Sequence, residues 1–124
     1  MKKITFLIGI LFIICCIGCE GDSGSDSYRW VDLGFFNGIK DINNSGQIIG
    51  THEVQIEGQS YTRSLLYNPS GTIIDLGTFG GHAYASDINN EGEVVGTSYF
   101  LDGGWHAFLY QDEEHGMIDL GTLG

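Results

Sequence analysis

The sequence predicts an all-β protein that contains two tandem repeats of about 44 residues. The triplet Asp-Leu-Gly begins at Asp32, Asp75 and Asp119, so its three copies stand 43 and 44 residues apart. Apolar residues beside each triplet alternate with a period of two, which indicates strands with one packed face. No stretch has a sustained helical period, and the 20 glycines are spread too evenly for a long helix.

The chain begins with the layout of a secretory signal peptide. Lys2 and Lys3 form a cationic start, and an apolar run follows from Ile4 to Ile17, broken only by Thr5 and Gly9. At about 14 residues this run is shorter than the ~20 that a helix needs to span a bilayer. Residues 1–18 are therefore predicted to be a signal peptide rather than a permanent transmembrane anchor.

The end of the apolar run resembles a bacterial lipobox. In that motif a small residue, here Gly18, precedes a cysteine, here Cys19, which is acylated and becomes the new N-terminus. Cys16 departs from the family, which usually has leucine at that position. The resemblance implies a lipoprotein that is cleaved between Gly18 and Cys19 and anchored to the bilayer through acylated Cys19. Without acylation, Cys19 would be an unpaired thiol in an oxidising compartment, which is unfavourable.

Processing at this site would leave no free thiol in the mature domain. Cys15 and Cys16 depart with the signal peptide, and Cys19 carries lipid, so disulfides, thiolate metal sites and a cysteine nucleophile are excluded. Residues 20–27 contain no apolar side chain and are predicted to be a flexible tether, which makes 19–27 the lipidated N-terminus and linker. The folded domain is then expected over residues 28–124.

The repeats align without a gap over their best-matched segment. Residues 41–51 match residues 87–97, and each segment contains Asn-x-Gly, a sequence typical of a hairpin turn whose glycine takes the left-handed conformation. Further strands are expected at 63–67 and 106–110, then at 72–76 and 117–120. The repeats are assigned to residues 32–74 and 75–118, followed by the start of a third.

A repeat of about 44 residues with four short strands has the size of a β-propeller blade, which buries its faces against neighbouring blades. Typical propellers have four to eight blades, so two blades cannot close. The chain would assemble with copies of itself, stack as an open two-unit sandwich, or be part of a longer array. Its abrupt end after Asp119-Leu120-Gly121 favours a broken array. We therefore expect an incomplete or fragmentary propeller-like arrangement of antiparallel β repeats.

Three segments resemble the bacterial extracellular HAF repeat, named for its His-Ala-Phe triplet. They are residues 75–81, the Ala-x-x-Ile-Asn pattern at 85–98, and His-Ala-Phe-Leu-Tyr at 106–110. The resemblance covers nearly all of residues 28–124, although the first repeat has Arg63-Ser64-Leu65 in place of His-Ala-Phe. It implies an exported, propeller-like repeat and no catalytic residues.

Composition excludes several classes of protein. The chain has 16 acidic and five basic residues and a net charge of −11, which argues against a nucleic-acid partner. Its hydrophobic fraction of 42% is too high for a disordered chain. Partners are expected to be neutral or cationic.

The segments that begin at Asp41 and Asp87 superficially match a calcium loop. His52 and Ser98 occupy the position of the bidentate glutamate, and strands are expected where a helix should follow. We therefore predict Asx turns, in which Asp and Asn side chains bond their own backbone, with a calcium site of another kind as the alternative.

The histidines and repeated aspartates are predicted to be structural. His106 corresponds to Arg63, which cannot act as a base, so a contact such as a bond to an adjacent blade is expected. A catalytic carboxylate pair needs two different environments, whereas Asp32, Asp75 and Asp119 repeat one. Two further groups are expected to be solvated surface: the other histidines and the acidic cluster, namely His52, His82, His115 and residues 112–114.

The sequence thus predicts no catalytic, cofactor-binding or metal-binding residues. It favours a non-enzymatic lipoprotein of the bacterial cell envelope that binds a protein or glycan, with homo-oligomers as one way to complete the array. Glu20 is not the aspartate associated with inner-membrane retention, so the outer membrane is favoured. Two alternatives stay open: an enzyme or ligand-binding propeller completed by further blades or by oligomerisation, and a truncated remnant of a longer repeat protein.

Overall fold

The computed structural model describes residues 3–7, 10–16 and 28–122, and the chain divides into two compact units, residues 1–35 and 36–124. Every secondary-structure element within the described residues is a β-strand, which confirms the all-β prediction. The predicted cleavage site at Gly18 and Cys19, together with the tether at 20–27, lies outside the described residues.

The first unit contains one antiparallel sheet. Its strands are β1 (Lys3–Leu7), β2 (Ile10–Cys16) and β3 (Tyr28–Asp32), with β2 in the centre. The segment assigned to the signal peptide contributes β1 and β2. Strand β3 leads into the first Asp-Leu-Gly triplet, whose Leu33 is buried.

The second unit contains two antiparallel sheets of four strands, one for each repeat. The first sheet consists of β4 (Gly38–Ile42), β5 (Ile48–Ile56), β6 (Gln59–Tyr67) and β7 (Ile73–Asp75). The second sheet consists of β8 (Gly80–Ile88), β9 (Val94–Phe100), β10 (Gly104–Tyr110) and β11 (Met117–Gly121). In both sheets the strands lie in chain order, which confirms two four-stranded antiparallel sheets.

The Asn-x-Gly turns enter β5 and β9 as their sequence predicts. In each turn the asparagine just before the triplet, Asn43 or Asn89, donates its N–H to a backbone carbonyl four residues on, and its own carbonyl accepts the N–H of the turn glycine. Gly46 and Gly92 have φ angles of 79° and 86°, a region that glycine enters without steric cost. Local chemistry therefore sets the same register in both repeats, pairing Ile42 with Ile48 and Ile88 with Val94.

The core of the second unit lies between the two sheets. Ile49 and Leu66 are cross-strand partners on one face of the first sheet, and they share a buried cluster with Ala85, Val94 and Phe108 of the second sheet. Strand β8 packs against β4, β5 and β6 of the first sheet. Side chains of both repeats thus form a single core.

The first sheet is buried on more than one face, which corrects the expectation of one packed face. Ser64, Leu65, Leu66 and Tyr67 are consecutive in β6 and all buried, although successive residues of a strand point to opposite sides. Continuous buried runs are typical of strands covered on both faces. Period-two alternation therefore underestimated how much of this repeat is covered.

Candidate binding surface

The three repeated aspartates share one local structure. The N–H of the glycine two residues on donates to the carboxylate at 2.8 Å for Asp32, 2.9 Å for Asp75 and 2.7 Å for Asp119. A side-chain acceptor that bonds its own backbone in this way forms an Asx turn. Each aspartate thus makes a structural contact with its own backbone, at the place where the chain leaves the last strand of a sheet.

Asp75 and Asp119 also meet a basic side chain on the neighbouring strand. Arg63 Nε lies 3.8 Å from an Asp75 oxygen, and His106 Nδ1 lies 3.0 Å from an Asp119 oxygen. Arg63 and His106 occupy equivalent positions in the two repeats. The basic residue therefore differs between the repeats, whereas its partner is the repeated aspartate in both. His106 makes this contact within its own sheet, not with an adjacent one, and its ring centroid lies 4.2 Å from that of Phe100.

The Asp119 carboxylate is held in its charged form. The hydrogen bond from the Gly121 backbone N–H is the largest cause of its lowered pKa. Partial burial raises the pKa, and the contact with His106 lowers it further. A lowered pKa keeps the carboxylate ionised as an acceptor at neutral pH. The pair therefore has a structural explanation, and Asp119 is not poised as a general acid.

The asparagines of the two turns form the predicted Asx turns. Asn43 Oδ1 accepts the N–H groups of Ser45 and Gln47 at 3.1 and 2.9 Å. Asn89 Oδ1 accepts the equivalent pair, at 3.1 and 2.9 Å. Within residues 3–7, 10–16 and 28–122, no three His, Cys, Asp or Glu side chains are grouped so that they could hold a metal ion.

The turns of the two repeats also bond to each other. Asn43 Nδ2 donates to the Asn89 carbonyl at 2.9 Å, and the Asn44 N–H donates to Asn90 Oδ1 at 2.9 Å. Asp41 Oδ2 accepts the Ile88 N–H at 3.3 Å. These bonds join one end of the two sheets, and they give Asp41 and Asn43 partners in the second repeat.

His82 joins the opposite ends of the two sheets, which corrects its assignment to the solvated surface. It is half-buried, and its Nδ1 accepts the Thr62 N–H at 3.1 Å. Its ring lies between Tyr61 and Tyr84, at centroid distances of 5.7 and 6.2 Å. His52 is also half-buried, so it too differs from the expected surface residue.

His115 and the acidic cluster at 112–114 are exposed, as predicted. Asp112 accepts both the backbone N–H and the ring Nδ1 of His115, each at 2.8 Å. Both bonds lower the pKa of Asp112, and the backbone bond has the larger effect. The cluster belongs to the turn between β10 and β11, which is held by these hydrogen bonds between its own residues.

The Tyr110 hydroxyl is buried and has no hydrogen-bond partner among the described residues. Burial, and then the nearby Glu113 and Asp112 charges, raise the Tyr110 pKa. The phenol therefore stays protonated at neutral pH. Its ring packs in the core, and the hydroxyl costs free energy there because it has lost water without gaining a partner.

The second sheet exposes an apolar and aromatic face, which we call the outward face. Cross-strand pairing and alternation place on it the residues Tyr84, Asp87, Val95, Thr97, Tyr99, Trp105, Ala107, Leu109, Ile118 and Leu120, of which Asp87 is the charged one. Val95, Trp105 and Leu120 are 42%, 48% and 58% exposed. Trp105 contacts Tyr84 and Tyr99 at centroid distances of 5.6 and 5.3 Å.

Sequence reasoning did not identify the outward face as a candidate site. The available signal was that β9 and β10 carry apolar residues on both sides, as in Val94-Val95 and Phe108-Leu109. Strands with this pattern are usually covered on both faces. Here one side contributes to the core and the other is exposed, so the exposed side is the candidate binding surface.

No described residue belongs to a helix that is long and apolar enough to cross a membrane. No family model matches the chain, and no curated protein or solved structure is significantly similar to it. The resemblances to the lipobox and the HAF repeat therefore rest on the motifs in the sequence.

Proposed function

We propose that the chain is a non-enzymatic lipoprotein of the bacterial cell envelope, in which acylated Cys19 anchors a β-repeat binding or scaffold module. The cationic start, the apolar run and the Gly18-Cys19 junction support the anchor. Glu20 favours delivery to the outer membrane. Residues 20–27, which contain no apolar side chain, would hold the module away from the bilayer.

The outward face of the second sheet is the observation that carries the binding role. It brings Tyr84, Val95, Trp105 and Leu120 to one side of a single sheet, each at least a third exposed. Contiguous apolar patches on soluble proteins usually mark interaction sites. Tyrosine and tryptophan are also enriched at protein interfaces. The partner is therefore a protein or glycan that presents a neutral, largely apolar surface.

We also infer that the two sheets are successive blades of an incomplete propeller-like array. The support is their stacking, in which one face of the first repeat packs against the opposite face of the second. The recurring Asp-Leu-Gly turns and their basic partners give the repeated aspartates a structural role, which favours a module without catalytic activity.

Metabolic labelling with a clickable fatty acid tests the anchor. The wild-type chain should incorporate the label and fractionate with membranes, and Cys19→Ala should lose both properties. Cys15→Ala is the matched control, because it removes a thiol from the same region and should keep the label. A wild-type chain without label, or Cys19→Ala with undiminished label, would contradict the proposal.

A further inference from the structure

The outward face of the second sheet is the counterpart of a face that is covered in the first. By repeat alignment and strand register, three aliphatic residues of the two faces correspond: Val95 to Ile49, Leu109 to Leu66, and Leu120 to Leu76. Ile49, Leu66 and Leu76 are at most 3% exposed and belong to the core between the sheets. The first sheet therefore shows what kind of surface covers these side chains.

The covering surface is the inner side of the second sheet, which we call the leading face. Its buried residues are Ala85, Ile88, Val94, Phe108 and Tyr110. They pack on the first sheet, whose strands β4, β5 and β6 contact β8. The turn at residues 89–92 lies beside them and supplies backbone groups. The leading face therefore offers an apolar surface together with polar groups at its edge.

Asp87 distinguishes the outward face from a purely apolar patch. It is exposed, and it pairs with Val95 across β8 and β9. Its counterpart Asp41 pairs with Ile49 across β4 and β5. Removing an ionised carboxylate from water is unfavourable unless hydrogen-bond donors replace the water. A purely apolar partner is therefore a poor match to this face.

Asp41 shows how such a carboxylate is satisfied when the face is covered. Its Oδ1 accepts the N–H of Ile42 at 2.8 Å, and its Oδ2 accepts the N–H of Ile88, on the leading face, at 3.3 Å. Hydrogen bonds to an ionised acceptor are stronger than those between neutral groups. Because Asp87 stands at the equivalent position, a second leading face would present an N–H to it in the same way.

The asparagine side chains of the two turns follow the same pattern. Asn43 Nδ2 carries two hydrogens and donates to Gln47 Oε1 at 2.6 Å and to the Asn89 carbonyl at 2.9 Å. Asn89 Nδ2 donates to Glu93 Oε2 at 2.7 Å, which uses one of its two hydrogens. The other hydrogen can bond the carbonyl of a further turn. Asp87 and Asn89 thus supply an acceptor and a donor beside the apolar side chains of the outward face.

We propose that the outward face binds the leading face of a further repeat of the same kind, one that lies outside the two described here. Asp87 accepts a backbone N–H from that repeat, and Asn89 donates to a carbonyl of its turn. The inference rests on the proposed function, because it names the partner of the same surface. A second copy of this chain is a poor source of the repeat, because two chains of net charge −11 repel each other.

An extended chain tests the fit, because the internal contact forms within one polypeptide and incurs no cost of association. Residues 81–124 are repeated after Gly124, since residues 119–124 correspond to residues 75–80, which lead into the second sheet. Maleimide labelling of Leu120→Cys should be at least tenfold slower in the extended chain than in the parent. Leu101→Cys, 79% exposed in the turn after β9, is the matched control and should react equally in both. The unsubstituted chains supply the thiol background.

Asp87→Ala separates polar recognition from purely apolar docking. In the extended chain it should speed the labelling of Leu120→Cys at least threefold, because the N–H of the added repeat loses its acceptor. Docking on an apolar surface would instead become tighter, and labelling slower, once the charge is removed. Asp102→Ala, which removes an exposed charge from the turn after β9, is the control and should have no effect. Equal labelling of parent and extended chains, an added repeat that does not fold, or labelling that Asp87→Ala leaves unchanged or slows overturns the proposal.

Photo-crosslinking in intact cells identifies the natural occupant. A benzophenone amino acid replaces Leu120, and the crosslinked peptide is sequenced by mass spectrometry. We expect a peptide with the pattern Asp-x-Asn-x-x-Gly, as at residues 87–92, from a repeat outside the two described here. A product with a second copy of this chain or with lipid overturns the inference.

The same cells separate this inference from the proposed function. A product with a glycan, or with a protein that lacks the repeat, overturns the inference and leaves the proposed binding role standing. A chain that yields no product at Leu120 contradicts both the inference and the binding role. Fatty-acid labelling of the chain tests the lipid anchor independently of either result.

Discussion

Gly96 in β9 lies where the second sheet has no room for a methyl group. A Cβ at this position would meet the Tyr84 carbonyl oxygen and would lie 2.7 Å from two ring atoms of Phe108. Ordinary carbon contacts are about 3.5–4.0 Å. Phe108 is fully buried, and the Tyr84 backbone is part of the β8–β9 pairing, so neither can move without disturbing the core.

Gly96→Ala should therefore destabilise the chain by about 3 kcal/mol, the upper end of the ~1–3 kcal/mol usual for overpacking. In a domain of 60–100 residues, ~1 kcal/mol changes the Tm by about 4–8 °C. The expected decrease is thus about 12–24 °C. Thermal unfolding of the purified full-length chain, followed by circular dichroism, measures it.

Gly104→Ala is the matched control in β10. The nearest atoms to its Cβ are those of His106, at 3.8 Å, an ordinary contact. The substitution should be neutral or stabilise by about 0.4–1 kcal/mol, because alanine restricts the unfolded chain. A Gly96→Ala protein within about 0.5 kcal/mol of wild type, or equal losses at both positions, would refute this account of the packing.

Three further predictions concern polar groups of the two sheets. Ser64→Ala should cost about 2 kcal/mol, because it removes a buried bridge between the sheets, whereas exposed Ser60→Ala should change stability by less than about 0.5 kcal/mol in urea unfolding. Tyr110→Phe should keep or raise the Tm, because it removes a buried hydroxyl that has no partner; a decrease above about 1 kcal/mol would disprove that assignment. The lowered Asp119 pKa adds stability that is present above the unfolded value of about 3.9 and lost as pH falls through the folded value. Asp119→Asn should therefore be less stable than wild type at pH 7, and the Tm difference should shrink below about pH 4; a difference independent of pH would exclude this origin.

Local chemistry explains which parts of the fold were predictable. The Asn-x-Gly turns depend on residues within five positions of one another, so Gly46 and Gly92 could be assigned from the sequence. The Asp-Leu-Gly turns are equally local, with each carboxylate bonding a glycine two residues on. Repetition strengthened these predictions, because an architectural feature recurs in each repeat while a catalytic pair needs two environments.

Features that depend on how the sheets meet were not predictable. His82 has no partner nearby in sequence, and its bond to the Thr62 N–H exists only because β8 packs across β6. The outward face was missed for the same reason. Leu76 and Leu120 occupy identical positions in identical triplets, yet one is buried and the other is exposed. The period of apolar residues predicts which side chains share a face of a strand, whereas their burial depends on whether another sheet packs on that face.

The proposed binding role requires the outward face to be open in the isolated chain and covered in the cell. Maleimide labelling of Leu120→Cys tests it, with Leu101→Cys, in the exposed turn after β9, as the reference and the parent chain as the thiol background. We expect similar labelling of both positions in dilute purified protein, and at least fivefold slower labelling of Leu120→Cys than of Leu101→Cys in intact cells. Equal labelling of the two positions in cells would contradict it.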